Sequence, residues 1–185
     1  MASVRVVAVS FVLLALAMAV SGEIAPAGPK FPAHAEKFVN KILANPNLKI
    51  LAGALKATGL VDPLKGLAAQ GVTAFGPTDK AFLSLPKQVV TCLGKEPGLS
   101  KVLKPILFYH VSKGKYTASK LRSRKSLTSV LGPRIAVSKF KKTVKVDNAV
   151  VIKGDAITSS TSVAHVIDAV LIPKALLPVI KKVCF

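Results

Sequence analysis

The sequence predicts an α+β fold in a single domain, and three observations carry that prediction. Through Val111 apolar residues recur at helical spacing, and from Ser126 onward the period falls to two. The length, 185 residues, suits one domain plus a leader and is enough for a core that needs no metal. Just over half the residues are apolar, yet Trp is absent and aromatics make up only 5%, so the core must be aliphatic.

The first 22 residues read as a signal peptide. Arg5 supplies the positive n-region, Val6 to Val20 the apolar stretch, and the small residues around Ala19 and Gly22 two usable cleavage sites. The stretch is short for a membrane span and no basic stop-transfer cluster follows it, which disfavours an uncleaved anchor. Residues 23–32 carry three prolines and a glycine and should be extended. The domain proper is expected over residues 33–185.

Ala33 to Asn45 reads as a helix, with Phe38 and Ile42 one turn apart. Asn47 is placed to cap a second helix with a stripe of Leu48, Leu51, Ala52 and Leu55, closed by Gly59. Leu60 to Gly71 is Gly-punctuated and reads as a broken connector. Gly71 to Pro86 is a short buried strand, a Gly76-Pro77 stop and a helix. Thr78 is the N-cap of that helix, and Asp79 faces the positive end of its dipole. Its apolar side is Ala81, Phe82, Leu83 and Leu85. After a short apolar piece, Gln88 to Leu93, and a loop from Gly94 to Gly98, the residues Leu99, Val102, Leu103, Ile106 and Leu107 give a strong helical stripe. Pro105 should kink that helix or move its start to near Lys104. In the second half, Ile135/Val137, Val144/Val146 and Val150/Ile152 alternate with polar residues. Turns are expected at Lys139 to Lys142, Asp147-Asn148 and Gly154-Asp155.

Three stretches resemble the conserved blocks of the fasciclin (FAS1) domain. Thr73 to Phe82, TAFGPTDKAF, matches the first, with Thr73, Phe75, Pro77, Thr78, Asp79 and Phe82 in place and Gly76 standing where Ala is usual. Leu107 to Val111, with Tyr109 and His110, is similar to the Tyr-His block. Ser162 to Pro173 is similar to the last, with His165, Ile167 and Asp168 in place but Thr161-Ser162 where that block has Asn-Gly. The resemblance implies a wedge-shaped β-sandwich with helices packed along one side.

No constellation points to catalysis. None of the three histidines has metal-ligand spacing. His110 and His165 lie in apolar stretches and read as hydrogen-bonded structural groups rather than catalysts. There is no nucleophile elbow and no phosphate loop, and eight scattered carboxylates offer no acid/base pair. The expectation is a non-enzymatic protein with no metal and no required cofactor. Cys92 and Cys184 are the only cysteines. In a chain that leaves the cytosol an even count favours one disulfide, with two free thiols as the alternative.

Charge is the unusual property: 27 basic residues against 8 acidic ones, +19 overall and +18 without the leader. Between Pro97 and Val146 thirteen basic residues stand with no carboxylate, densest at Lys113, Lys115, Lys120, Arg122, Arg124 and Lys125. This is either a solvated basic face or a docking surface for acidic polysaccharide or anionic lipid. The apolar composition and the leader argue against nucleic acid. No N-glycosylation acceptor and no GPI-type tail occur, so a secreted, extracellular protein is expected.

The resemblance implies two functions. Fasciclin domains are mostly adhesion and matrix modules. Small secreted fasciclin proteins of green algae, some strongly basic, carry carotenoids such as astaxanthin in water. The size, leader and basicity fit the second branch, so a soluble carrier of a hydrophobic ligand is the preferred expectation and matrix adhesion the alternative. The residues expected at such a ligand are Leu48, Leu51, Leu55, Leu60, Leu103, Ile106 and Leu107; filling the core is their alternative role.

Overall fold

The computed structural model describes residues 28–185. The expected leader, and the first half of the segment expected to be extended, lie outside the described residues. Pro32 caps the first helix, α1 (Ala33–Leu43), which buries Ala35, Phe38, Val39 and Ile42 on one side. α2 (Lys49–Ala57) follows, with Leu51, Ala52 and Leu55 inward and Gly59 in the left-handed conformation after its end, φ 67°. Asn47 does not cap it. The N-cap position is Leu48 without a side-chain bond, and the Asp79 carboxylate, 29 residues away, accepts the Ile50 N–H at 2.7 Å.

The connector expected at Leu60 to Gly71 is instead a helix, α3 (Val61–Gln70). Pro63 lies in its first turn, where the missing N–H has no helical partner to lose, and Leu64 and Ala68 are one turn apart and buried. Gly66 lowers local propensity but leaves the packing intact, and burial against α1 decides the conformation.

β1 (Val72–Pro77) is buried at every position. α4 (Asp79–Leu83) begins at the expected cap, with Thr78 Oγ1 accepting from Ala81 N at 3.2 Å. Phe82 is buried, whereas Leu83, expected on the apolar side, is 68% exposed. α5 (Lys87–Leu93) starts at Pro86. A π-helical turn (Leu99–Leu103) leads into α6 (Lys104–Tyr109), which starts at the position Pro105 demands. β2 (Val111–Lys113) and α7 (Ala118–Leu121) precede the meander β3 (Ser126–Thr128), β4 (Arg134–Phe140), β5 (Thr143–Val146), β6 (Ala149–Thr158) and β7 (Val163–Ile167). α8 (Leu177–Cys184) ends the chain.

The strands form one seven-stranded sheet in the order β2-β1-β7-β6-β5-β4-β3, with β1 and β7 parallel and the other pairs antiparallel. A bridge between Ser112 and Ser129 brings the two ends together, so the sheet nearly closes on itself. The result is the expected α+β domain, with the helices packed along one side of a single sheet that folds over on itself.

Two predictions about the meander are corrected. Val150 and Ile152 do not face inward. Ala149 and Val151 do, because Val146 pairs with Ala149 across the Asp147-Asn148 turn, and Ile152 is 56% exposed. Four apolar residues in succession give a period of two no phase. Gly154-Asp155 is not a turn but the irregular middle of β6, where the register against β7 shifts between Lys153 and Ile157.

Two cores result. One lies between helices and sheet and includes Phe38, Leu48, Leu51, Leu55, Phe82 and Leu107. The other fills the folded sheet and includes Phe75, Ile135, Val137, Val144, Val146 and Ile167. β1 separates them, with Ala74 in the first and Phe75 in the second. Cys92 on α5 and Cys184 on α8 form a disulfide, with their Cα atoms 5.4 Å apart.

Candidate functional site

An open groove of about 360 Å³ with an almost wholly apolar lining lies between α2, α4, α5 and the π-helical turn. It exists because α2 is apolar on two sides. Leu51, Ala52 and Leu55 face the core, while Ile50, Gly53, Ala54 and Ala57 form a second stripe at i, i+3, i+4 and i+7 along the groove. Phe82, Leu83 and Leu85 supply the next wall, Val90 and Leu93 of α5 the third, and Leu99 and Leu103 the floor. A Cβ on Gly53 would meet nothing within 4 Å, so the absent side chain contributes directly to the opening. Ile50, Leu83 and Val90 are 37%, 68% and 38% exposed, and all three lie on this groove.

Of the residues expected at a hydrophobic ligand, only Leu103 lines it. Leu48, Leu51, Leu55 and Leu107 surround an interior space of about 30 Å³, room for little more than one water. Leu60 borders another of about 10 Å³, and Ile106 is 1% exposed. The sequence carries a signal for the groove residues: KILAGALKA, residues 49–57, has no polar face beyond Lys49 and Lys56.

The family-block residues hold the fold at its seams. Thr73 Oγ1 donates to Gly114 O at 2.7 Å and accepts from Tyr116 N at 2.8 Å, fixing the turn after β2. Pro77 ends β1 opposite Ile167, and Thr78 N donates to the Ile167 carbonyl at 3.1 Å. Asp168 does not partner His165; its carboxylate accepts Val150 N at 2.7 Å and ties β6 down.

The two histidines of the family blocks, His110 and His165, are buried with both ring nitrogens bonded. His110 Nδ1–H donates to Ile106 O at 2.7 Å and Nε2 accepts from Leu171 N at 2.9 Å. Burial pushes its pKa down to about 4 against the opposing pull of the Ile106 carbonyl and Asp147. His165 Nδ1 accepts from Asp155 N at 3.0 Å, Nε2–H donates to Tyr116 O at 2.9 Å, and its ring stacks on Phe75 at 5.7 Å. Burial lowers its pKa too, with the Tyr116 carbonyl and Asp155 opposing. Tyr109 OH lies 2.8 Å from Asp147 Oδ2 and 2.9 Å from Arg134 O; burial, then the bond to Asp147, raises its pKa. With both nitrogens engaged, neither His110 nor His165 has a lone pair free for a substrate.

Ser162 stands with Thr161 where the family block has Asn-Gly, and it joins two elements. Its hydroxyl accepts Val72 N at 3.0 Å and donates to Ala68 O at 2.9 Å, stitching the start of β7 to the end of α3.

Members of the basic run are held by different parts of the fold. Lys115 Nζ is held by the Ser159 and Ser160 carbonyls, and Arg124 covers the Tyr116 ring at 5.0 Å. Arg122 reaches the other way, to Lys142 O at 2.6 Å and Lys141 O at 3.4 Å on the β4–β5 turn. Lys113, Lys120 and Lys125 are exposed. Carboxylates do little to neutralise this charge. Asp79, Asp147, Asp155 and Asp168 each accept a backbone N–H, and Lys65–Asp62 is the one Lys/Arg–carboxylate pair among the described residues.

Among the described residues no group of three or more His, Cys, Asp or Glu could hold a metal ion, and no helix is long and apolar enough to cross a membrane. The model of the fasciclin domain matches residues 46–173. Protein sll1483 of Synechocystis sp. is 38% identical over 130 residues, which cover 70% of this chain and 69% of that protein. The uncharacterized protein sll1735 of the same organism is 37% identical over 66% of this chain and 86% of its own. The transforming growth factor-beta-induced protein ig-h3 of Sus scrofa is 32% identical over 68% of this chain, but the match spans only 18% of that protein. A solved FAS1 domain pair from the insect cell adhesion molecule fasciclin I superposes with a TM-score of 0.62 at 19% identity, covering 74% of this chain and 51% of the pair. With the three sequence blocks at the seams of the same architecture, this chain belongs to the fasciclin domain family.

Proposed function

We propose that this fasciclin domain is a non-catalytic carrier of an elongated hydrophobic molecule, a carotenoid such as astaxanthin, and that the groove along α2 is where the ligand lies. The observation that carries the reading is the concentration of Ile50, Leu83 and Val90, three exposed aliphatic side chains, on one open apolar groove in an otherwise highly charged protein. Covering their exposed fractions gains roughly 2–4 kcal/mol, before any contribution from the ligand's own surface. A volume of about 360 Å³ is at the small end for a ligand site, so a long polyene seats one segment there and projects beyond it.

Titrating purified protein with astaxanthin tests the reading. The expected result is a soluble complex with a shifted absorption band that survives high salt, because apolar burial is not screened. Gly53→Leu fills the groove from its α2 wall and should abolish pigment uptake while leaving stability equal or higher. If no pigment is solubilised, and an acidic polysaccharide instead binds at low ionic strength only, the chain is an adhesion module that works through its basic residues, and the carrier reading falls.

A further inference from the structure

The β4–β5 hairpin gathers two features that the sequence keeps apart. Its tip carries Lys139, Lys141 and Lys142, all exposed. Arg122, from the end of α7, is fixed over the turn by its bonds to the Lys141 and Lys142 carbonyls. Both acceptors are neutral, so the guanidinium is oriented without being neutralised. Lys153, on the neighbouring strand β6, is exposed as well. On the outward face of the same strands stand two large apolar side chains, Phe140 at 38% and Ile152 at 56% exposure. Thr143 lies between them, paired with Phe140 in the hairpin and bonded through Oγ1 to the carbonyl of Val151, the residue before Ile152. Ile135, Val137, Val144, Val146, Ala149 and Val151 all turn inward, so Phe140 and Ile152 share the opposite, solvent face. No carboxylate occurs in the chain between Pro97 and Val146, and Asp147 is bonded to Ala136 N and Tyr109 OH at the other end of β5.

Cations clustered at a hairpin tip next to an exposed apolar pair are what an anionic lipid surface recognises: the charges attract the headgroups and the apolar pair enters the acyl boundary. A polyanion without an apolar layer would use the cations and leave Phe140 and Ile152 wet. The geometry points to the tip of the β4–β5 hairpin, with Arg122, as a docking element for anionic phospholipid membranes. It is separate from the groove and does not depend on what the groove holds.

The chain has no Trp, which makes the test direct. Phe140→Trp and Ile152→Trp each place a single indole at the tip. Each is mixed with phosphatidylcholine vesicles with and without phosphatidylserine, and separately with heparin. The expected result is co-sedimentation and a blue-shifted indole emission with the anionic vesicles only. Lys141→Gln with Lys142→Gln should weaken vesicle binding about 25-fold, about fivefold for each charge. Phe140→Ser with Ile152→Ser should weaken it at constant charge. Both substituted side chains are at the surface, and unchanged urea midpoints confirm that the fold is intact. Vesicle binding with no blue shift and no effect of the serine pair, or binding to heparin alone, means that only charge is read and overturns the membrane assignment.

Discussion

Asp79 makes one contact that joins two helices, and its removal has a calculable cost. The Thr78 hydroxyl caps α4 from the adjacent position, accepting Ala81 N at 3.2 Å. The Asp79 carboxylate accepts Ile50 N at 2.7 Å in the first turn of α2, which has no side-chain cap of its own, while its backbone N–H donates to Asn47 O at 3.0 Å. Loss of a helix cap costs about 1 kcal/mol, and loss of a negative charge at a helix N-terminus a further ~0.3–1 kcal/mol. Asp79→Ala should therefore cost about 2 kcal/mol against about 1 kcal/mol for Thr78→Ala, and Phe82→Ala, which opens the core at a 4% exposed ring, about 3–5 kcal/mol. For a domain of this size 2 kcal/mol is a drop of about 4–8 °C in Tm. Asp79→Asn keeps an acceptor oxygen and should recover part of the loss. Urea unfolding of the disulfide-intact protein, read by far-UV circular dichroism, gives the comparison. If Asp79→Ala costs no more than Thr78→Ala, the carboxylate does not hold α2 and the reasoning is refuted.

Two further outcomes are expected. The folded pKa of His110, about 4, lies below its ordinary 6.5, so between those values the unfolded chain binds a proton that the folded one does not. Stability is then full above pH 6.5 and falls by ~3 kcal/mol as the pH drops to 4, with His165 acting in the same direction. Denaturant midpoints across that window should be flatter in His110→Gln, and an equally steep profile would assign the dependence elsewhere. The Cys92–Cys184 bond closes a loop with a sequence separation of 92, which corresponds to roughly 4–5 kcal/mol of unfolded-state entropy. Non-reducing mass spectrometry should find the native protein two hydrogens lighter than its reduced form. Double replacement by Ala should lower the urea midpoint sharply; thiols that react quantitatively in the native protein would contradict the pairing.

The sequence alone determined the features that a short window can contain. The Thr78 cap, the Phe38/Ile42 and Ile106/Leu107 stripes, the start of α6 at Pro105 and the Ile135/Val137 and Val144/Val146 alternation all depend on neighbours within about two helical turns. The three blocks were legible for the same reason, and they carried the family and the architecture. Tertiary structure decided what needs a distant partner. α2 is capped from 29 residues away and α3 is held by burial despite Gly66 and Pro63. The phase of β6 comes from its pairing with β5, because Ala149 to Ile152 is apolar on both faces. The groove followed from the same ambiguity: a helix apolar all round does not say which stripe is core, and packing gave the core to Leu51 and Leu55 and the opening to Ile50 and Gly53. The basic run was visible as composition, but the contacts of its members were not. Hydrogen-bond geometry took Lys115 to the Ser159 carbonyl and Arg122 to the hairpin, and no spacing along the chain encodes either contact.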